Sequence, residues 1–408
     1  MPRSAGVELL QSPATIRARC ERLLALGEAG ELPHFAVHLD RLDAVADRVE
    51  AVTRECYPDL QIPYHSRWRH FDVGGVPRLA AFDTRLAELD PREQGRVRFD
   101  LVVTSVLLDA GAGPAWSYRE GDQTYARSEG LAVASLRLFE SGVLSSDPAR
   151  PLQADAAGLS ALTAARLGEA FQVSPQNPLV GLEGRSELLR SLGAALAADP
   201  ARFGTPGRIG GLFDRLSAAA EAGQLPAARV LQEVLQGLGP IWPGRVELDG
   251  VNLGDVWHHP SLGDLGDAEG ADLVPFHKLS QWLSYSLLEP LEQSGLSVVD
   301  LDDLTGLPEY RNGGLLLDLG ALELKDPSAR ERAHRPGDPL IVEWRALTVA
   351  LLDRVAVKVR ERLGVSAAEF PLAKVLQGGT WTTGRRVAKE LREGGGPPLR
   401  LESDGTVF

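Results

Sequence analysis

Apolar residues recur along this chain mostly at helical spacing. Ser12-Pro13 reads as an N-cap with proline at the first helical position, and Ile16, Cys20, Leu23 and Leu24 then share one face. Leu39, Leu42, Val45, Val49 and Val52 repeat the pattern in a second helix. Both runs stop at turn residues, near 27–30 and at Tyr57-Pro58. Several amphipathic helices follow over 154–239, with Leu212, Leu216 and Ala219, then Val230, Leu231, Val234 and Leu235, as their apolar stripes. Helical patterning resumes at 276–293 and at 343–363, the latter ending at Gly364. Strand-like pieces are few, 315–319 and 399–401 being the best. Residues 98–109 (RFDLVVTSVLLD) form a continuous apolar run that suits a buried strand and a buried helix equally, and it halts at Gly111-Ala112-Gly113-Pro114. Residues 60–82 have no period but are too aromatic and basic for a linker, which marks an ordered loop with a function. The section 240–274 reads as loop-rich and holds Trp242, Trp257, His258 and His259. No internal repeat or low-complexity tract interrupts the chain. The pattern predicts a mainly α protein with a few short strands. It is read as one large helical domain, 1–408, with residues 1–60 as an N-terminal helical lobe and 61–408 as a catalytic core.

Composition narrows the function. The chain has 408 residues, 44% hydrophobic and 24% charged, with a net charge of −13. That is ordinary globular composition, and its sign argues against a nucleic-acid or anionic-membrane surface. The cations are 38 Arg and only five Lys, with no Lys before Lys278. Two cysteines, Cys20 and Cys56, do not make a disulfide framework. No apolar stretch approaches the ~20 residues that span a bilayer. Residues 1–6 lack the basic-then-apolar run of a signal peptide, so a cytoplasmic location is expected.

The familiar catalytic signatures are missing: there is no phosphate loop, no dinucleotide fingerprint and no nucleophile elbow. Two segments look like anion sites. Residues 378–386 (GGTWTTGRR) read as a Gly-rich turn entering a helix, whose free N–H groups, with Arg385 and Arg386, suit phosphate; a solvated Arg pair on an ordinary helix start is the alternative. Arg67, Trp68, Arg69 and His70 offer guanidinium forks and an imidazole, or else an exposed Arg-Trp patch. Among carboxylates, Asp109 ends an apolar run before a small-residue turn, and Glu129 precedes a helix that it either serves as a cap or equips with a charge. Glu309 lies in LTGLPEYRNGGLLLDLG, where it is either catalytic or paired with Arg311. Lys278, Gln281 and Tyr285 form a polar stripe on an otherwise apolar helix, which suggests an inward-facing site.

The segments VPFHKLSQWLSYSLLEPLE, LTGLPEYRNGGLLLDLG, RFDLVVTSVLLDAGAGPAW, RSEGLAVAS, YHSRWRHF, GGTWTTGR and the terminal SDGTVF closely resemble the uracil catabolism protein 4 family. The resemblance runs from about residue 64 to Phe408. It implies a place in a route that opens the pyrimidine ring on the ribosyl phosphate and leaves a ribosylurea-type intermediate. A second similarity is more distant. FHKLSQWL followed by LTGLPEYR is similar in order and spacing to segments of queuosine 5′-phosphate N-glycohydrolases, a helical family related in shape to DNA glycosylases that cleaves a base from ribose 5-phosphate. Lys278, Gln281, Glu309, Tyr310 and Arg311 are the matching positions, with Glu309 standing where that family has Asp.

Together these imply an N-ribosyl hydrolase that releases urea from a ribosylurea phosphate without cofactor or metal. Glu309 is expected as its central carboxylate, with Asp109, Glu129 and Asp303 as the other catalytic candidates. Lys278, Gln281, Tyr310, Arg311, Arg67, Arg69, His70, Trp116 and Arg385 are expected to bind a small phosphorylated ribosyl substrate. The expected partners are that substrate and other uracil-catabolism enzymes, with no nucleic acid and no membrane. Two alternatives come from other classes. One is a metal-dependent C–N hydrolase using Asp255, His258, His259 or His277; the other is a non-catalytic protein that binds an intermediate or a partner.

Overall fold

Proline at the start and glycine at the stop set the bounds of the longest helix, Pro339–Leu363, in the computed structural model of the chain. Gly364 adopts φ 70° just past its end, and Gly364 and Val365 return their N–H groups to Glu361 and Arg360, a closed C-terminal turn that glycine favours. The structure describes residues 4–265 and 270–402, so the terminal SDGTVF segment lies outside the described residues. The chain falls into two compact units, one from residues 1–65, 243–281 and 300–408, the other from 66–242 and 282–299.

In the first unit the 339–363 helix is buried almost all round, and the helices Pro13–Glu28 and Leu42–Cys56 pack on it through Ile16, Cys20, Leu23 and Leu24 and through Val45, Val49 and Val52. These are the two apolar faces legible in the sequence. The helix Tyr310–Asp318 packs on the helix Trp381–Leu391, where a Cβ on Gly384 would come within 2.2 Å of the Arg311 carbonyl. Residues 315–319, expected as a strand, therefore lie on a helix and the turn after it. Their unbroken leucines are apolar because that helix is enclosed on most sides, which erases its period.

In the second unit the ambiguous run is a helix, Pro91–Leu107, opened by Asp90, whose Oδ1 accepts from the Glu93 N–H. Every residue from Val97 to Leu107 is buried, so no amphipathic period survives. The helices Arg127–Glu140, Leu182–Ala198 and Gly211–Ala219 pack against it, with Phe99 and Phe213 edge to face at 5.4 Å. The helix Lys278–Gln293 contributes residues 278–281 to the first unit and 282–293 to the second.

The strands are short and occur only as two-stranded ribbons among the described residues. Residues 35–37 pair antiparallel with 322–324, 256–258 with 273–275, 247–248 with 251–252 and 117–120 with 123–126, while 224–226 and 297–299, and 333–334 and 400–401, pair in parallel. The protein is mainly helical. No helix among the described residues is long and apolar enough to cross a membrane.

Candidate functional site

Pro308 brings the chain extended into Glu309, which is the N-cap of the 310–318 helix. Its two carboxylate oxygens take different donors: Oε2 accepts from Arg311 N at 2.7 Å and Oε1 from Asn312 N at 2.6 Å. Burial raises the carboxyl above its ordinary value, against the pull of those two backbone N–H groups and then of the Lys278 and Arg311 charges. Glu309 is partly exposed as a residue, while its carboxyl group is itself deeply buried. The expected pairing with Arg311 takes another form. The Arg311 backbone holds the carboxylate, while its guanidinium lies over the Tyr310 ring at 4.8 Å and donates to the Gly395 carbonyl at 2.6 Å.

Lys278 opens its helix beside a strained residue. His277, at φ 48° and buried, donates through Nε2 to the Leu10 carbonyl, 2.9 Å away. Asp255 takes the Lys278 N–H at 3.0 Å on Oδ2, pairs both oxygens with Arg345 at 2.8 Å, and accepts from Trp257 Nε1 at 2.7 Å. These donors hold the Asp255 carboxyl well below the usual carboxylate range despite its burial. The Arg345 guanidinium in turn stacks on Phe276, 4.1 Å from its centroid. The start of the 278–293 helix is therefore fixed from behind, with the Lys278 charge acting on Glu309.

The remaining candidates of this unit have other tasks. Gln281 is fully enclosed: its Nε2 donates to Thr305 Oγ1 and to the Phe276 carbonyl, and its Oε1 accepts from Thr305 N. It ties two segments together and is not presented to a ligand, contrary to the expectation. Asp303 is exposed on a short turn, where its carbonyl accepts from Arg17. Arg385 lies over Trp381 at 5.6 Å, and Arg386 pairs with Glu55. The Gly-rich turn expected at 378–386 is instead a π-helical turn, 376–380, running straight into the 381–391 helix. Its N–H groups thus lie inside continuous helix, and the glycines are small because Val49 and Thr53 press on Gly379 and Ile62 on Gly378. Beside this π turn, Asn312 Oδ1, Thr380 Oγ1 and Thr383 Oγ1 are enclosed without hydrogen-bond partners.

The residues of the metal alternative do not gather. Asp255 is spent on Arg345, His258 on Asp272 at 2.6 Å and His277 on Leu10, and His259 faces Glu343 at 3.6 Å. Among the described residues no three His, Cys, Asp or Glu side chains form a metal-binding group.

The second unit holds the other candidates. Arg67 is fully buried on a single helical turn at 67–70. Its Nε donates to Ser105 Oγ at 2.7 Å and its Nη1 to the Ser128 carbonyl at 3.0 Å. Nη1 also lies 3.0 Å from Asp109 Oδ1, an ion pair by distance whose angle is too poor for a hydrogen bond, and Arg67 Nη2 and Asp109 Oδ1 are both enclosed without partners. Asp109 Oδ2 accepts from Ser128 Oγ at 3.1 Å. Burial pushes the Asp109 carboxyl up against Arg67, Ser128 and Arg185. Glu129, in the first turn of the 127–140 helix, adds a negative charge that acts on Arg67. The exposed Arg69 pairs with Glu289 at 2.5 Å, and His70 packs on Trp282, 6.3 Å between centroids. Trp116, expected at the substrate, is buried, with its indole N–H on the Phe171 carbonyl at 2.9 Å and its ring stacked on Phe171. It is a core residue.

One residue that the sequence reading missed organises this cluster. Arg185 donates from Nε to Leu108 O at 3.0 Å, from Nη2 to Ala110 O at 2.7 Å and Gly111 O at 3.2 Å, and from Nη1 to Val180 O. Burial lowers it to about 10, and it acts as a clamp on the turn that carries Asp109. A signal existed: Arg185 falls on the same face as Leu189, Leu192 and Leu196, an apolar stripe where a cation is out of place.

A family model described as "Protein of unknown function (DUF1688)" matches residues 9–408. Protein urg3 of Schizosaccharomyces pombe is 43% identical over 410 residues, covering 98% of this chain and 99% of the relative. Uracil catabolism protein 4 of Lachancea kluyveri is 40% identical over 414 residues, covering 93% of each.

Proposed function

This chain belongs to the DUF1688 family, and from that premise we propose that it acts in uracil catabolism as an N-ribosyl hydrolase that cleaves a ribosylurea 5′-phosphate to urea and ribose 5-phosphate. The relatives' names supply the pathway. The observation that carries the reaction type is the Glu309 carboxylate, which is buried, fixed by two backbone N–H groups and within reach of the Lys278 charge. In the proposed step the C1′–N bond breaks, water supplies the new C1′–O bond, and the water proton passes to the urea nitrogen. Positive charge builds on the ribose ring, and a preorganised carboxylate stabilises it without reorganising at the moment of reaction. Lys278 is assigned to the anionic end of the substrate, where its binding energy orients the ring. A small-molecule substrate suits an acidic chain with net charge −13, and the cytoplasm is where we place the reaction.

The test is incubation of the protein with ribosylurea 5′-phosphate, following both urea and ribose 5-phosphate. Equal, catalytic release of the two products is expected. Turnover of that compound to ammonia without ribose 5-phosphate would favour an amide hydrolase, and no turnover would remove the hydrolase reading.

A further inference from the structure

A cavity of about 490 Å³ in the second unit lies outside both clusters, sharing no residue with either. It forms where the helix Pro200–Phe203, the turn after it and the start of the 211–219 helix face residues 150–155 and Arg96. Its lining includes five arginines, Arg96, Arg150, Arg202, Arg208 and Arg215, and only two carboxylates, Asp155 and Asp214.

Those two carboxylates are spent. Asp155 holds the backbone N–H groups of Ser146, Ala157 and Gly158 and the Gln153 amide at 2.8–3.1 Å, and Asp214 bridges Arg92 and Arg96. The arginines are gripped from behind. Arg208 pairs with Asp100 at 2.7 Å and Glu93 at 2.6 Å, and Arg215 and Arg202 both pair with Glu233, while Asp100 and Glu233 are themselves buried and lie outside the lining. Arg202, Arg208 and Arg215 are thus preset by carboxylates outside the lining and Arg96 by Asp214 within it, and donors are left over. Among the described residues, Arg96 Nη2, both terminal nitrogens of Arg150 and Arg215 Nη1 have no hydrogen-bond partner, and Arg208 Nη2 is enclosed without one. The lining arginines Arg96, Arg150 and Arg215 thus keep guanidinium N–H donors that no carboxylate takes up.

The geometry points to a binding site for a phosphorylated small molecule. The volume falls within the ~300–1,000 Å³ of small-molecule sites, whereas a polynucleotide is repelled by the acidic chain around it. Phosphoryl oxygens match several guanidinium forks at once, which a single carboxylate does not. This assignment goes beyond the hydrolase reading and stands or falls separately, because it is tested by binding and not by turnover.

Calorimetric titration with inorganic pyrophosphate tests it, with citrate as a carboxylate polyanion and with three variants. Saturable binding at one site is expected, tighter than for citrate. Arg150→Ala and Arg215→Ala should each weaken it about tenfold or more, the scale of a lost charged hydrogen bond. Arg190→Ala, which removes the same charge from an exposed position outside the lining, should leave it unchanged. Arg150 is an exposed side chain whose loss spares the core, so that variant stays informative if Arg215→Ala folds poorly. No saturable binding, citrate binding as tight as pyrophosphate, or an equal loss in Arg190→Ala would each overturn the assignment.

Discussion

Two buried carboxylates, one in each unit, are held by opposite means. Glu309 in the first unit is held by peptide N–H groups at a helix start, so no cation is consumed in fixing it. Asp109 in the second unit is held by Arg67 and Ser128 on a turn that Arg185 clamps. Burial raises both. A carboxylate neutralised by a buried guanidinium has most of its field cancelled at short range, whereas one capped by peptide N–H groups keeps its net charge. The difference casts Asp109 mainly as a structural partner and Glu309 as the group fit to meet a developing cation.

The largest effect expected from that contrast is on stability, in the second unit. Arg67→Met leaves Asp109 buried without its cation and should cost about 3–5 kcal/mol, read from urea unfolding. Arg67→Met combined with Asp109→Leu should recover much of the loss, because the desolvated charge goes with its partner. If Arg67→Met unfolds at the parent's urea concentration, the pair is not structural and the contrast with Glu309 collapses.

Glu309→Gln sharpens the other side. Its carbonyl still accepts one N–H, so stability should fall by only about 1 kcal/mol, the scale of a weakened cap. Turnover of ribosylurea phosphate should fall roughly 10²–10³-fold, or about 3–4 kcal/mol, with little change in substrate binding. A Glu309→Gln protein that melts early yet keeps full activity in its folded fraction would make the residue a cap and nothing more.

The sequence made some of this legible and hid the rest for physical reasons. Helices with one apolar face against water, such as 13–28 and 42–56, announced themselves through their period. The 91–107 and 310–318 helices did not, because enclosure leaves no polar face to set the rhythm. Glu309 and Lys278 were legible as chemistry out of place in apolar context and do lie in mutual electrostatic reach. Gln281 looked equally out of place and Trp116 was expected at the substrate, but their polar atoms are satisfied by Thr305 and by the Phe171 carbonyl, partners far away in sequence that no local pattern names. The glycines at 378–379 read as a phosphate-binding turn, yet they lie in a helix where Ile62, Val49 and Thr53 pack against them.

Gln281 offers a middle-sized test of that distinction. Gln281→Leu removes three buried hydrogen bonds, two to Thr305 and one to the Phe276 carbonyl, which should cost about 1–3 kcal/mol of stability. The folded fraction should keep the parent KM. A raised KM at unchanged melting temperature would return Gln281 to the substrate site.

The smallest expected effect concerns pH, and it tests whether Lys278 reaches Glu309 at all. Burial is the main influence raising the Glu309 carboxyl above its ordinary 4.5, the two backbone N–H groups oppose it, and the Lys278 charge opposes it less. If the carboxylate must be ionised to support the ribosyl cation, kcat/KM should fall on the acid side through this raised value. Lys278→Met removes one of the lowering influences, so the carboxyl rises further and the acid limb should move to higher pH. Stability follows the same sign. The folded state holds the proton more tightly than the unfolded chain, so this group's contribution falls as pH rises from the ordinary value through the raised one, over a wider window in the variant. Glu309→Gln should flatten that part of both profiles. Acid limbs that coincide in the parent and Lys278→Met would mean that the lysine charge does not act on Glu309, and its role would then be confined to binding.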